Sequence, residues 1–560
     1  MLTSRQLESP PLGAPARNRN LAELIEDHPR GMLAIYTIIY VCGYWASASQ
    51  TPFWFDEIFT YRIAQLPHIS DIWNVISRGI ELNPPGFFWF TWLLARLFGM
   101  GHIVTRIPAA LGYWVMSLCL YSFVRRRTRT AYAVIALLFP LSTFAADWIV
   151  EARGYGLELG CAAIALLCWQ RATEETPRLL ALSGLALGLM GAVSCHYYAA
   201  YAIFVLLAAE LLRSCMRRTV DLPCFTAIIL GFLPLLLFHS LFGAVAAGAK
   251  AFWASPRVDI LSRTYGSILV PALFWALPLL AFMLARKPPT ERQRHARNEF
   301  PLWEILAATL LAAMPFLVFV AGFRFHVGLW GKYVILAVPG FAILVSAAFY
   351  RLAAGEIRAV DFALKSAFWI CFLPWLIWTA HSVATSPSPS DFVRSNAILP
   401  EAATKPIVMT DDVDFLQYDF YLPPEQKKQL CVLINLPAAR KYAGYDTGAR
   451  SLDEGRRWWP IRAYDYKEFV ARNPEFILVR SARPDWIAQQ LLEDGADLRL
   501  LRIHRAPGIL ESEIQMFAVK IARDSERTSI PAFDQHRPPR AASLFPDPKQ
   551  STEMAIADAR

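Results

Sequence analysis

The chain has 560 residues, of which 55% are hydrophobic, 13% aromatic and only 18% charged, with a mean hydropathy of +0.33. Soluble domains carry about one-quarter charged residues, so this balance excludes disorder, a coiled coil, a disulfide scaffold and a collagen-like fibre. Lys plus Arg number 55 against 46 Asp plus Glu, a net charge of +9, but the basic runs are short and separate apolar blocks about twenty residues long. That is the threading pattern of a polytopic membrane protein rather than a nucleic-acid stripe.

Residues 1–31 are polar, with Pro10, Pro11, Arg17, Arg19 and Arg30, and read as a cytoplasmic tail. The first apolar run, 32–49, reads as a retained helix, because no small-residue cleavage site follows it. Further spans are expected at 104–124, 131–147, 155–170, 179–195, 199–213, 222–243, 266–285, 302–323, 333–350 and 365–384. Between some of them sit Arg125-Arg126-Arg127 with Arg129, Arg213 with Arg217-Arg218, Arg286-Lys287 with Arg292, Arg294 and Arg297, and Arg351 with Arg358. Placing every cluster on the cytoplasmic side leaves the apolar run 86–98 inside the first external loop, 50–103. That run is too short to cross without strong thinning and is expected to be an interfacial or re-entrant helix. The expected fold is a polytopic α-helical bundle of eleven to thirteen spans, forming a transmembrane catalytic domain over 32–384 with the N-terminus inside.

After Pro387, Ser388 and Pro389 the composition changes, and residues 385–523 read as a small α/β domain on the external face. Strand-like runs are Ile407–Thr410, Cys431–Ile434, Phe476–Val479, Leu498–Ile503 and Gln515–Val519, with helical patterns at Tyr466–Arg472 and Asp485–Glu493. Asp411, Asp412 and Asp414 lack the Gly and Glu of a calcium loop and read as a solvated acidic turn. Residues 524–560 are polar and Pro-containing, as in a disordered tail. A lone Cys431 and the absence of an N-x-S/T site in this domain fit a bacterial periplasm, hence an inner-membrane protein.

Five polar groups fall on the external side of that threading: Asp56-Glu57, Asn83-Pro84-Pro85, Asp147 with Glu151-Ala152-Arg153-Gly154-Tyr155, His196-Tyr197-Tyr198, and Arg324 with His326, Lys332 and Tyr333. Each has a plain alternative. An acidic pair outside a span is commonly a solvated end, Arg153 could snorkel at the interface, and Lys332 and Arg324 could anchor helix ends. His196 with its tyrosines suits an aromatic belt equally well, and Glu158, one turn inside its span, could pair with an arginine. Asp56-Glu57, however, is set among Phe53, Trp54, Phe55, Ile58 and Phe59, which desolvates it. Carboxylates, cations and aromatics at one membrane face suit group transfer from a lipid phosphate to a hydroxyl. The phosphate needs cations to hold its growing charge, and the hydroxyl needs a carboxylate base.

The order Asp-Glu, Asn-Pro-Pro, cytoplasmic Arg cluster, Glu-Ala-Arg-Gly-Tyr, His-Tyr-Tyr, then Lys-Tyr with Pro339 resembles the GT-C glycosyltransferases over about residues 32–350. Within them it is similar to the branch of aminoarabinose lipid A transferases, protein O-mannosyltransferases and rhizobial lipopolysaccharide galacturonosyltransferases. The resemblance implies a polyprenyl-phosphate sugar donor and an external acceptor on lipopolysaccharide or lipid A, another envelope glycan or a protein. It makes Asp56 the base with Glu57 in support, and Arg153, Lys332 or Arg324, and Tyr155 the donor and phosphate site. Asn83, Glu151, His196 and Tyr197 would then shape the substrate or acceptor pocket. The family often has His-Pro-Pro where this chain has Asn83-Pro84-Pro85, and Arg-Tyr where it has Lys332-Tyr333, which keeps the charge but loses a bidentate fork. Such a site implies one in-line displacement with inversion. These residues define no cofactor site, and a divalent metal at Asp56 stays open, since an acidic pair and one His do not define a site. The competing class is a lipid-linked sugar flippase without chemistry, which would spread charge along the spans rather than at one face.

Overall fold

The computed structural model describes residues 20–174, 176–249, 252–285, 300–325, 328–367, 405–481, 485–505 and 513–521, with scattered residues between 369 and 384. Among these residues, five helices are long and apolar enough to cross a bilayer: Pro29–Gln50, His102–Arg125, Tyr197–Arg217, Val258–Ala281 and Leu302–Arg324. A pair bent by 48°, Leu222–Leu237 and His239–Gly248, is a sixth if it crosses as one. Shorter apolar helices occupy Gly86–Phe98, Thr130–Ser142, Leu179–Cys195 and Ala337–Leu352, and Tyr155–Ala172 is a further helix. Each expected span up to residue 350 thus meets a helix in a polytopic helical membrane fold, and among the described residues five or six of these are long enough to cross, against an expected eleven to thirteen over the chain. The last expected span, 365–384, and His326 fall largely or wholly outside the described residues.

The segment expected to span 131–147 differs most. Its α-helix ends at Leu138, just before Pro140, and two 3-10 turns, Phe139–Ser142 and Phe144–Ile149, carry the chain onward. Proline has no N–H to continue the ladder, and the Thr143 side chain accepts a hydrogen bond from the Ala145 amide (3.3 Å), capping the second turn. The apolar periodicity continues through this stretch, so hydropathy alone cannot see the break. The result is an irregular approach to Glu151–Gly154.

Helices His102–Arg125 and Tyr155–Ala172 cross with their backbones in contact. A Cβ on Gly112 would strike Gly156 O, and one on Gly156 would strike Ala109 O. Such small-residue contacts substitute for a hydrophobic drive between helices in lipid. The crossing fixes the start of one helix, with Arg106, against the start of the other, with Tyr155. At one end of the bundle therefore lie Arg106, Arg153, Tyr155, His196 and Lys332. At the other end Arg127 meets Glu304 and Arg213 meets Asp221.

The C-terminal domain is a six-stranded sheet of β1 (Ile407–Met409), β2 (Leu430–Ile434), β3 (Ala463–Asp465), β4 (Glu475–Arg480), β5 (Asp497–Arg505) and β6 (Glu513–Lys520), in the order β3-β2-β1-β4-β6-β5. β3, β2, β1 and β4 run parallel, while β6 is antiparallel to β4 and β5. The inner strands β1 and β2 are buried throughout, which is why they read as continuous apolar runs. β3 carries one buried residue, Ala463, too little pattern for the sequence to show it. The expected acidic turn is instead a helix start. Asp411 accepts from the amides of Val413 (2.8 Å) and Asp414 (3.0 Å) and caps the helix Asp412–Tyr421. This helix packs on Phe55–Ala64, where Phe415, Leu416 and Tyr418 share one core with Phe53, Phe55, Ile58 and Phe59. Arg62 pairs with Asp419 across the join at 2.9 Å.

Candidate active site

Asp56 stands in the first turn of the helix Phe55–Ala64, next to two buried cations. Its Oδ2 is 3.7 Å from Lys332 Nζ and 3.8 Å from Arg153 Nε, and a quarter of the side chain (25%) remains exposed. Burial by itself would push this carboxyl up. Arg153 and Lys332 outweigh burial and hold it below the usual carboxylate range, so Asp56 is ionised at neutral pH.

Glu57, the adjacent acid, is turned inward and saturated. It receives a bidentate fork from Arg106, at 2.7 Å from both Nε and Nη2, and the Ala152 amide at 2.8 Å. Arg106 also donates to the carbonyls of Ala48, Thr51 and Pro52. Glu57 is therefore a positioning group: through Arg106 it fixes the approach to the Asp56 helix, and through Ala152 it fixes the loop that carries Glu151 and Arg153.

Arg153 is oriented by a second carboxylate, Glu81, at 2.5 Å and 3.1 Å. The same Glu81 gathers the amides of Leu82 and Asn83 and the Asn83 side chain (2.9 Å), so Asn83 reaches the site through Arg153's partner. The fork leaves Arg153 Nε buried and without a hydrogen-bond partner on the side of Asp56.

Lys332 lies in the 3-10 turn Gly331–Val334 inside an aromatic cage, with Trp54, Trp148, Tyr155, Trp253 and Tyr333 between 5.5 and 6.0 Å from its ammonium. Ring faces stabilise a cation with little water around it. Glu151 projects one oxygen, Oε1, that is buried and unpartnered. Burial pushes its carboxyl up to about 8, with Lys332 opposing and Glu57 and Asp56 adding to the rise. His196 stacks on Tyr333 (5.7 Å) and on Tyr198 (5.2 Å) and meets Tyr155 edge-on. Burial, then Arg153 and Lys332, push it down to about 3, so its imidazole is neutral. Its Nδ1 faces Glu158 at 3.5 Å, so Glu158 meets this histidine and not the arginine expected for it.

The structure thus gathers Asp56, Arg153, Lys332, Tyr155 and His196, with Glu151 on the same loop as Arg153. Tyr197 packs its ring on Phe242 (5.7 Å), and Arg324 is exposed at the last turn of Leu302–Phe325, unlike the buried Lys332. Glu81, Arg106, Trp148 and Trp253 were not singled out by sequence. Arg106 within an apolar run and Glu81 just before Asn83-Pro84-Pro85 were the available signals, since a charge in such a setting requires a partner. Among the described residues no group of three or more His, Cys, Asp and Glu is arranged to hold a metal.

An ionised, partly exposed carboxylate flanked by two oriented cations can deprotonate a hydroxyl beside a bound phosphate. Residues 83–241 match the family model described as Dolichyl-phosphate-mannose-protein mannosyltransferase. The fold is similar to that of ArnT from Cupriavidus metallidurans in the apo state, with a TM-score of 0.52 and 13% identity over 88% of this chain and 98% of that chain. The same protein bound to undecaprenyl phosphate matches with a TM-score of 0.51 and 13% identity over 87% and 98%. At that identity the likeness carries the fold and leaves the substrate open. No curated protein matches the sequence significantly.

Proposed function

We propose that this enzyme transfers a sugar from a polyprenyl-phosphate donor to a hydroxyl of an envelope acceptor, such as lipopolysaccharide, another glycan or a protein, on the periplasmic face of the inner membrane. The observation that carries the reading is the triplet of Asp56 with Lys332 at 3.7 Å and Arg153 at 3.8 Å, open on one side. Asp56 takes the acceptor proton as the hydroxyl oxygen attacks the anomeric carbon. The bond from that carbon to the phosphate oxygen breaks, and the lipid phosphate leaves with the electron pair. Lys332 and Arg153 Nε hold its growing charge.

The departing phosphate monoester is already largely dianionic near neutral pH, its second pKa being about 6. A strong general acid is therefore unnecessary, and inversion at the anomeric carbon follows from the single displacement. ArnT bound to undecaprenyl phosphate supports a lipid phosphate in this fold, and the caged Lys332 supplies a desolvated cation for one here. Because Asp56 answers the same two cations that the phosphate needs, donor binding draws them away from the carboxylate and raises its basicity.

The test is mass analysis of envelope glycolipids and glycoproteins from cells lacking the gene and from cells with it restored. A sugar increment lost on deletion, regained on restoration and joined with inverted anomeric configuration supports the reading. Identical profiles, or a retained anomeric configuration, would refute it.

A further inference from the structure

The residue that leads into the Asp56 helix is held by another domain. Phe53 donates its amide to Tyr421 Oη (2.5 Å), and its carbonyl accepts from Gln417 Nε2 (2.9 Å), so both of its peptide groups are satisfied by the helix Asp412–Tyr421. Tyr421 Oη also lies 2.8 Å from His102 Nε2, and the Phe53 ring stacks on His102 at a centroid distance of 4.1 Å. On its other side the guanidinium of Arg106 sits 4.8 Å from the Phe53 ring centre. Arg106 is the group that forks onto Glu57 and takes the carbonyls of Thr51 and Pro52. A continuous set of contacts therefore runs from Tyr421 and Gln417 through Phe53 and Arg106 to Glu57, one residue from Asp56.

In the entry segment, Thr51 N–H bonds to Ser47 O, Trp54 N–H to Glu57 Oε2 (3.3 Å), and the Thr51 and Pro52 carbonyls to Arg106, which leaves both peptide groups of Phe53 for another element. Residues Thr51 to Trp54 are not helical, and the Trp54 N-cap side chain has no oxygen to accept from the helix amides. Extended backbone leading into a helix needs partners from elsewhere, and the buried Phe53 gets both of its own from the C-terminal domain. Further contacts cross the join. Arg62 and Asp419, Tyr61 and Phe420 (5.3 Å), and Phe59 and Trp459 (6.0 Å) meet across it, and Ser451 Oγ donates to Ile80 O (3.0 Å), the residue before the Glu81 that orients Arg153.

We infer that the C-terminal domain is a working part of the transferase site, with Tyr421 and Gln417 as positioning residues that fix the Asp56 helix by holding both peptide groups of Phe53. The consequence for catalysis rests on the function proposed above; the consequence for backbone order does not. The second anchor, at Ile80, places the domain behind Arg153 as well, so one body sets the base and one of its two cations together.

The test compares full-length protein carrying Tyr421→Phe or Gln417→Ala with wild type, both in lipid nanodiscs and in cells. Amide hydrogen exchange of peptides covering residues 51–60 is expected to rise about tenfold, with exchange elsewhere in the C-terminal domain unchanged. Undecaprenyl phosphate binding is expected to stay within about twofold of wild type, because Lys332 and Arg153 remain. The sugar increment on envelope glycolipids, per folded molecule, is expected to fall about tenfold, since a displaced base loses rate rather than lipid affinity. Exchange at 51–60 that matches wild type in folded protein would overturn the inference, and so would full transfer despite raised exchange. If Tyr421→Phe fails to fold, Gln417→Ala is read by the same measures. A wild-type protein that makes no sugar increment would instead remove the proposed function, while the exchange result would still decide whether the domain orders the helix.

Discussion

The two ends of the helical bundle use the same residue types to opposite effect. At the end away from Asp56, charges are closely matched. Arg127 forks onto Glu304 at 3.0 and 3.1 Å from Nε and also reaches Glu174, while Gln170 adds a bond to Glu304. Arg178 meets both oxygens of Asp221 at 2.5 and 2.8 Å, and Arg213 binds Glu210 and Asp221 together. At the Asp56 end, two pairs are equally tight, Arg106 with Glu57 and Arg153 with Glu81, but the groups they support are left incomplete. Asp56 sits 3.7 and 3.8 Å from its cations, Arg153 Nε and Glu151 Oε1 are buried without partners, and Lys332 is surrounded mainly by rings. Saturated pairs hold helices together. Unsaturated ones, kept in place by saturated neighbours, are available for chemistry.

Breaking a saturated pair should cost the fold, and the largest such effect is expected for Arg106→Leu. It leaves Glu57 buried without its counter-charge, a loss of about 3–5 kcal/mol, read as a lowered thermal midpoint and poor recovery from membranes. Glu304→Gln breaks a pair at the opposite end. With Glu174 still beside Arg127 the cost is about 2 kcal/mol, and sugar transfer per folded molecule is expected to match wild type. A fall in specific activity would show that the distant end feeds the site.

Altering an unsaturated group should spare the fold and change binding or pH behaviour. Lys332→Met is expected to weaken undecaprenyl phosphate binding about tenfold, or about 1.4 kcal/mol. It also removes one of the two cations that depress Asp56. A base works when ionised, so activity is lost as pH falls through its pKa, and that acid limb is expected to move upward in the variant.

The smallest effect concerns Glu151, pushed up to about 8 by burial. A carboxyl raised on folding binds more protons in the folded state. Its contribution is complete below the unfolded value near 4.3 and is lost as pH rises to about 8. Glu151→Gln is expected to flatten that decline in thermal midpoint, while an unchanged slope would show that Glu151 is solvated.

The comparison also explains what the sequence could and could not reveal. Apolar blocks located the helices because burial in lipid demands continuous hydrophobic runs. They missed the break at Pro140, where the chain stays apolar while the ladder stops, and the short edge strand β3, which has a single buried residue. At the site, threading singled out Asp56, Glu57, Arg153, Arg324 and Lys332 as charges topology did not explain, and the structure gathers Asp56, Arg153 and Lys332. Threading could not say how charges pair. Glu57 reads in the sequence as support for Asp56, but what it binds was not legible: the fork from Arg106 turns it inward, and Arg106 itself lies within a helix that reads only as a span. Glu81 stood two residues before Asn83 and gained its meaning only once the fold brought Arg153 against it. Arg324 and Lys332 were equivalent candidates by sequence, and the aromatic cage and the nearness to Asp56 distinguish the buried Lys332 from the exposed Arg324. Local patterns report which groups are unusual; pairing is a property of contacts between distant segments.

The central claim is that Asp56 is the base of a sugar transfer from a lipid phosphate, and Asp56→Asn tests it most directly. Purified wild type and variant are compared for undecaprenyl phosphate binding and thermal midpoint, and cells carrying each for the sugar increment on envelope glycolipids. The expected result is a variant that folds, binds the lipid phosphate at least as well as wild type because Lys332 and Arg153 are released, and transfers about 10²- to 10⁴-fold more slowly. Transfer at the wild-type rate by a folded Asp56→Asn protein would contradict the claim.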